Sequence, residues 1–123
     1  MTNILTITST SKSYFIEVGI DDPVYSETLL PIFNQLSVQD NQSFVLDKEN
    51  LISFKKELQR SLENHIKQYR PGRGRGRMRK IFGIDYFLTL LSPEHNTIAL
   101  LSDISDAADD CIQNDIALRC EYS

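Results

Sequence analysis

The sequence predicts an α+β fold in which a largely antiparallel sheet, built from hairpins, is covered by one long helix and one or two short helices. Three observations predict it. Short runs rich in β-branched residues lie near both ends of the chain, a long amphipathic helical pattern lies between them, and 123 residues with 41% apolar content suit one modest core. We therefore expect a single α+β domain over residues 1–123, with about five or six strands.

The first predicted element is an N-terminal β-hairpin. ILTITST (residues 4–10) alternates apolar residues with threonines, and SYFIEVG (residues 13–19) is again rich in β-branched and aromatic residues. Ser11 and Lys12 lie between the two runs. The pattern predicts two antiparallel strands joined by a short turn.

A helix is predicted to begin at Asp22-Pro23. The aspartate can accept hydrogen bonds from unpaired N–H groups of the first turn, and proline fits that turn without the loss of a needed donor. Pro31 lies inside the same stretch and must kink the helix or divide it in two, because it lacks the N–H that a helix interior requires.

The longest predicted helix covers residues 47–69, with Asp47 as its cap. Apolar residues recur at spacings of three and four, while charged and amide residues occupy the other side. The apolar positions are Leu51, Phe54, Leu58, Leu62, Ile66 and Tyr69. His65 lies at the edge of this apolar stripe, where we expect a packed or half-exposed side chain.

The C-terminal third predicts a second hairpin, a helix and a final strand. The apolar runs at 85–92 and 97–103 flank the turn-rich tetrapeptide PEHN, which favours a buried hairpin. Residues 103–114 predict a helix with Ser102 as its cap and acidic residues in its first turns. Residues 115–122 alternate in apolar character and predict a strand that pairs into the sheet.

Motifs of common catalytic sites are missing from the sequence. It contains no phosphate-binding loop, no nucleophile elbow and no paired-histidine zinc motif. His65 and His95 are far apart, and Cys111 and Cys120 do not follow the spacing of a metal site. We therefore expect a protein that is not an enzyme and that binds no metal or cofactor.

The sequence also predicts a cytoplasmic protein without a membrane partner. No run approaches the roughly 18 consecutive apolar residues that a transmembrane helix needs. The first residues, MTNILTITST, lack the basic start and apolar run of a secretion signal. In that compartment the two cysteines are expected to be reduced thiols.

A strongly basic stretch, RPGRGRGRMRK, covers residues 70–80. It carries six positive charges in a chain of formal net charge −4, which leaves −10 on the remaining residues. Glycine alternation favours a flexible basic loop at about 70–80, which could also fold back onto the protein's own acidic residues. A functional interpretation is an anion-binding arm, since guanidinium groups bind phosphates and carboxylates in pairs of hydrogen bonds. Its candidate residues are Arg73, Arg75, Arg77 and Arg79.

The alternation of glycine and arginine in RGRGR resembles the arginine-glycine segments of RNA-binding proteins. This resemblance implies a nucleic-acid partner, single-stranded or structured RNA. The negative charge on the rest of the chain argues against nucleic acid as the main ligand, because it would repel a phosphate backbone outside the reach of the arm.

The helix at 103–114 carries a row of acidic residues. Asp103, Asp106, Asp110 and Gln113 follow three- and four-residue spacing, and Asp109 lies beside them. Exposed acidic residues ordinarily serve solubility. Like charges at this spacing repel one another, however, so the row also suits a strongly basic partner that it attracts.

Small size, an acidic surface and the lack of catalytic motifs resemble the make-up of bacterial immunity proteins and antitoxins that block a toxic nuclease. This resemblance implies a non-enzymatic protein that binds a basic toxin domain, expected to be a nuclease, and covers its substrate cleft. The residues expected to bind that partner are Asp103, Asp106, Asp109, Asp110 and Tyr122. The alternative function is that of a nucleic-acid-binding (RNA) accessory protein that uses the arginine-rich stretch.

Overall fold

The structure is a computed structural model, and it describes residues 4–9, 14–36, 43–68, 76–81, 84–89 and 93–123. The chain contains both antiparallel strands and helices, and the predicted α+β class is confirmed. The strands are β1 (Ile4–Ser9), β2 (Phe15–Gly19), β3 (Phe44–Leu46), β4 (Gly76–Ile81), β5 (Ile84–Thr89) and β6 (Leu118–Tyr122). The helical segments are a π-helix (Val24–Leu29), α1 (Leu30–Gln35), α2 (Lys48–Gln68) and α3 (Pro93–Gln113).

Four of these strands form one antiparallel sheet in the order β2-β1-β6-β3. The predicted N-terminal hairpin is confirmed, because β1 pairs with β2 and Thr8 lies opposite Phe15. The C-terminal strand β6 lies between β1 and β3, so that Arg119 has Thr8 on one side and Val45 on the other. The last strand of the chain therefore holds the sheet together at its centre.

One face of this sheet packs against the helices, and the alternation of side chains decides which one. In β6, Leu118 and Cys120 are buried while Arg119 and Glu121 are exposed. The opposite face carries exposed apolar side chains as well, with Phe15 at 68% exposure. The side chains of the buried face are Leu5, Ile7, Ile16, Val18, Leu46, Leu118 and Cys120.

The predicted long helix is confirmed as α2, Lys48–Gln68. Asp47 caps it as expected, since its carboxylate accepts the backbone N–H of Asn50 at 3.0 Å. Leu51, Phe54, Leu58 and Leu62 are buried along one stripe, and each contributes about 1.5–3 kcal/mol relative to an exposed position. His65 is half-exposed at the edge of this stripe, as its position predicted.

Helices α2 and α3 pack against each other in antiparallel directions. Lys48, at the start of α2, lies 3.9 Å from the carboxylate of Asp115, just beyond the end of α3. About two turns further along α2, Lys55 forms an ion pair with Asp109. The two ion pairs run in opposite order along the two helices, which fixes their relative direction.

Helix α3 ends in a Schellman motif. The N–H of Ile116 donates to the carbonyl of Cys111 at 2.9 Å, and the N–H of Asp115 donates to the carbonyl of Ile112 at 3.3 Å. Asp115 has a φ of 55°, in the left-handed region that glycine usually occupies at this place. The motif turns the chain from α3 into β6.

Pro31 divides the helical segment after β2, as its position predicted. The segment begins with Asp22, whose carboxylate accepts the N–H of Val24 at 2.9 Å. A π-helix precedes the proline, and the N–H of Leu30 donates to the carbonyl of Tyr25. Pro31 then occupies the first turn of α1, where its missing N–H is not needed.

The predicted hairpin of residues 85–92 and 97–103 is wrong. Strand β5 pairs with β4 instead, and α3 begins at Pro93. A proline suits the first position of a helix as well as it suits a turn, so PEHN starts a helix here. Ile98 and Leu101 continue the spacing of three and four toward Ile104, which makes the second apolar run part of α3.

Two details of the C-terminal predictions follow from this correction. Ser102 is not a cap, because it lies inside α3 and is buried at 2% exposure. The predicted helix at 103–114 and the predicted final strand are confirmed as the end of α3 and as β6.

None of the helices in the described part of the chain combines the length and apolar character that a bilayer-spanning segment needs.

Candidate functional site

Helix α3 displays an acidic stripe that consists of Asp103, Asp106 and Asp110. At 3.6 residues per turn, the three positions fall within an arc of about 60° around the helix axis. Asp103 and Asp106 are exposed, and Asp110 is half-buried. The opposite side of α3 enters the core through Ile98, Leu101, Ile104, Ala107, Ala108 and Cys111. Core packing therefore fixes the direction in which the acidic stripe faces.

Asp109, the fourth predicted aspartate, lies on the flank of α3 that faces α2. It forms the ion pair with Lys55, whose side chain is 28% exposed, and its second oxygen accepts the amide of Gln113 at 2.9 Å. This carboxylate is therefore occupied within the protein. The structure brings Asp109 close to the acidic stripe but gives it a partner in the fold.

Asp110 is held by a neighbour on its own helix. The side-chain amide of Asn114 donates to the Asp110 carboxylate at 3.0 Å and to its backbone carbonyl at 2.8 Å. A neutral amide orients the carboxylate without neutralising its charge. Asp110 therefore adds a fixed negative charge to the acidic stripe.

Tyr14 lies beside the acidic stripe. It precedes β2 directly and is partly buried against the core. Burial raises the pKa of the Tyr14 phenol, and the carboxylates of Asp110, Asp106 and Asp103 raise it further because they repel a phenolate. The Tyr14 hydroxyl therefore lies within electrostatic range of the three carboxylates of the acidic stripe and of Asp109.

Tyr122, the predicted aromatic anchor, lies elsewhere. It is opposite Leu5 in the sheet, whereas Tyr14 adjoins the other end of β1, where Thr8 pairs with the start of β2. Its hydroxyl is 2.9 Å from that of Tyr25, and the two rings meet edge to face. The structure therefore brings the acidic stripe together with Tyr14 and separates it from Tyr122.

A polar groove lies between the π-helix, α1 and α2. Its volume is about 210 Å³, and its lining includes Thr28, Glu57, Arg60 and Ser61. The hydroxyls of Thr28 and Ser61 are 3.4 Å apart, and the guanidinium of Arg60 lies 3.4 Å from the Glu57 carboxylate. These four lining groups thus form two pairs. The Ser61 hydroxyl contacts another hydroxyl, whereas a serine nucleophile would need a base within hydrogen-bond reach.

Two of the four predicted anion-binding arginines lie in the part of the chain that the structure describes. Arg73 and Arg75 lie outside the described residues, together with the rest of the predicted loop up to residue 75. Arg77 and Arg79 lie in strand β4, where they stand opposite Leu88 and Tyr86 of β5. Residues 76–80 of the segment that we expected to be a loop are thus part of a β-hairpin.

Sequence reasoning missed two residues of this surface, Tyr14 and Lys55. Neither has a local spacing signal, since Tyr14 is far in sequence from α3 and Lys55 is one of several basic residues on α2. Only the packing of α2, α3 and the sheet brings them to the aspartates. In the described stretches, no group of three or more histidine, cysteine or acidic residues is arranged to hold a metal ion.

Comparisons of this chain with protein-family models, with curated proteins and with solved structures found no match.

Proposed function

We propose that this chain is a non-enzymatic protein of the immunity or antitoxin type, which binds a basic toxin domain, a nuclease, and covers its substrate cleft. One observation carries the proposal. Asp103, Asp106 and Asp110 form a fixed acidic stripe on α3 with the ring of Tyr14 at its side. A surface with this charge attracts basic partners and repels acidic ones.

The spacing of the acidic stripe supports a partner that ordinarily binds a nucleic-acid backbone. Asp103 and Asp110 are separated by about 10 Å along the helix axis at 1.5 Å per residue, and Asp106 lies between them. The stripe thus presents one carboxylate per about 5 Å, compared with one phosphate per about 3.4 Å along one strand of DNA. A cleft that accepts phosphates would meet a comparable density of negative charge.

The rigidity of the helix supports the same proposal. Ile104 and Ala108 are fully buried under the acidic stripe, so the carboxylates are placed by the core and need little ordering when a partner binds. A partner's lysine or arginine could meet a carboxylate of the stripe and place its cationic group over the face of Tyr14. Such a contact is worth about 0.5–2 kcal/mol.

The proposal assigns different roles to the aspartates of α3. Asp103, Asp106 and Asp110 would contact the partner, whereas Asp109 joins α3 to α2 through Lys55. Tyr14 replaces Tyr122 as the aromatic residue of the surface, because Tyr122 pairs with Tyr25 at another end of the sheet.

The experiment starts with a partner captured from an extract of the source cells by the immobilised protein and identified by mass spectrometry. Its cleavage of RNA and DNA is then measured with increasing amounts of wild type, of D103N/D106N/D110N and of the control E17Q/E27Q/E63Q. Glu17, Glu27 and Glu63 are exposed and lie outside α3, so the two variants change the net charge equally.

We expect the captured partner to be a basic nuclease that wild type and control inhibit, while the D103N/D106N/D110N variant inhibits about tenfold or more weakly. Asparagine keeps the shape of aspartate and can still accept the hydrogen bond from Asn114. Equal inhibition by both variants, or a partner that is acidic or cleaves no nucleic acid, would contradict the proposed function.

A further inference from the structure

The hairpin of β4 and β5 forms a two-stranded ribbon of its own. The strands have six residues each and pair in unbroken antiparallel register from Gly76 opposite Thr89 to Ile81 opposite Ile84. Among the described residues, neither strand pairs with the four-stranded sheet. At about 3.4 Å per residue, the ribbon is about 20 Å long.

This ribbon is basic although the chain as a whole is acidic. Strand β4 contains Arg77, Arg79 and Lys80, and Asp85 of β5 is the one acidic residue in the two strands. The ribbon therefore has a formal charge of +2, against −4 for the whole chain. Met78, between the two arginines, has a side chain that is 63% exposed, so the face of β4 opposite to the two arginine positions is open to solvent.

We infer that the β4–β5 ribbon binds double-stranded DNA by entering its major groove. That groove is about 12 Å wide and admits a two-stranded β-ribbon, whose strands are about 4.8 Å apart. Arg77 and Arg79 occupy positions about 6.8 Å apart on one face of the strand, which corresponds to two steps of about 3.4 Å along one DNA strand. Arginine is the residue that most often binds guanine or phosphate through paired hydrogen bonds.

Ribbon geometry favours DNA over RNA. The major groove of an A-form RNA duplex is deep and narrow, so a ribbon cannot enter it. Single-stranded RNA is ordinarily bound on aromatic platforms or by arms that follow its backbone. In β4 the arginines belong to a paired strand with a fixed register. Duplex DNA is therefore the ligand that the described backbone fits best.

The acidic remainder of the chain limits the affinity of this interaction. Charges that repel phosphate lower binding at every DNA sequence, so we expect a dissociation constant of about 10⁻⁴–10⁻⁶ M near physiological salt. The inference does not depend on the proposed function, because β4 and β5 contain none of the residues of the acidic stripe.

Fluorescence anisotropy with a labelled DNA duplex of about 20 base pairs tests the inference between about 50 and 200 mM NaCl. The same sequence as duplex RNA and as single-stranded DNA provides the comparison. The variants are R77A/R79A and the control R60A/R119A, which loses the same charge from exposed positions in α2 and β6. Circular dichroism and the thermal midpoint check that each variant is folded.

We expect the DNA duplex to bind more tightly than the duplex RNA or the single strand. R77A/R79A should make the negative slope of log affinity against log salt shallower by about 2, since each lost phosphate contact removes about 0.9, and R60A/R119A should leave the slope unchanged. R77K/R79K keeps both charges and should keep the slope. A duplex with bulky groups at C5 of its thymines, which project into the major groove, should bind more weakly.

Three results would overturn the inference. The first is that the protein does not bind duplex DNA at about 50 mM NaCl. The second is that the R77A/R79A variant is folded and binds duplex DNA as wild type does. The third is that duplex RNA or single strands bind as tightly as duplex DNA or more tightly. The last result would indicate an RNA-binding arm in place of a DNA-binding ribbon.

Discussion

Ionisation of the Cys120 thiol should destabilise the fold at alkaline pH. Cys120 lies in β6 at the centre of the sheet, opposite Ile7 on one side and Phe44 on the other, and it is fully buried. A thiolate at this place would lose its hydration without gaining a counter-ion. Burial therefore raises the pKa of Cys120 from 9.0 to about 12.

The size of the effect follows from this shift in pKa. Three pH units at about 1.36 kcal/mol each correspond to about 4 kcal/mol of unfolding free energy. The folded state holds the proton more tightly than the unfolded state. The contribution is therefore fully present below pH 9.0 and is lost as the pH rises toward about 12. A loss of about 4 kcal/mol is large against a total stability of about 5–15 kcal/mol.

Urea unfolding at several pH values between about 8 and 11, in the presence of a reductant, measures this loss. The comparison is between wild type and Cys120→Ala, in which the titrating group is removed. Above pH 9.0 the wild type should lose up to about 1.4 kcal/mol per pH unit more than the variant. Cys111→Ala removes another buried thiol and should keep the Cys120 contribution.

Cys120→Ala lowers stability at every pH because alanine leaves a small cavity. Only the difference between the two proteins in the slope of unfolding free energy against pH is therefore informative. Wild type and Cys120→Ala with parallel stability curves between pH 9.0 and about 11 would refute the reasoning. That result would mean that the thiol is accessible to water or that an unidentified group stabilises its anion.

Three further predictions concern single contacts. Asp110→Asn should lower the pKa of Tyr14, because it removes the carboxylate that most opposes the phenolate. A titration of tyrosinate absorbance measures this pKa, and an unchanged value would mean that Asp110 does not lie near Tyr14. Asp115→Gly should raise the free energy of unfolding by about 0.5–1 kcal/mol, because glycine adopts a φ of 55° without strain and the lost ion pair with Lys48 is highly exposed. Lower stability in urea would mean that Asp115 is not strained at this φ. Tyr25→Phe and Tyr122→Phe in a double-mutant cycle should show a coupling of about 1 kcal/mol, whereas additive effects would mean that their hydroxyls do not interact.

Local patterns predicted the elements whose start and stop signals are unambiguous. Asp47 followed by apolar residues at helical spacing predicted α2 with its cap, and alternation predicted β1, β2 and β6. In each case the signal lies within a few residues of the element itself. The hydrogen bonds and burial that it implies are local, so tertiary packing had little to change.

The prediction failed where one residue suits two structures. Pro93 can end a strand or begin a helix, and the apolar run after PEHN fits a buried strand as well as the core side of a helix. Packing against α2 and the sheet decides between them, because Ile98, Leu101 and Ile104 are all fully buried in α3. A local pattern of apolar residues does not contain that long-range information.

The acidic stripe was predictable in part for the same reason. Helical spacing places Asp103, Asp106 and Asp110 on one side of α3 whatever the rest of the fold does. The neighbours of the stripe are set by contacts between distant residues, such as the ion pair that removes Asp109 from it. Which tyrosine lies near the acidic stripe, Tyr14 or Tyr122, likewise depends on which end of the sheet meets α3.

The affinity of the purified partner for the D103N/D106N/D110N variant, measured by titration calorimetry beside E17Q/E27Q/E63Q, tests the central claim most directly. If the acidic stripe is the binding surface, the dissociation constant rises by about tenfold or more for the first variant and by less than about threefold for the second. Equal dissociation constants for these two folded variants would contradict the claim that the acidic stripe on α3 binds the partner.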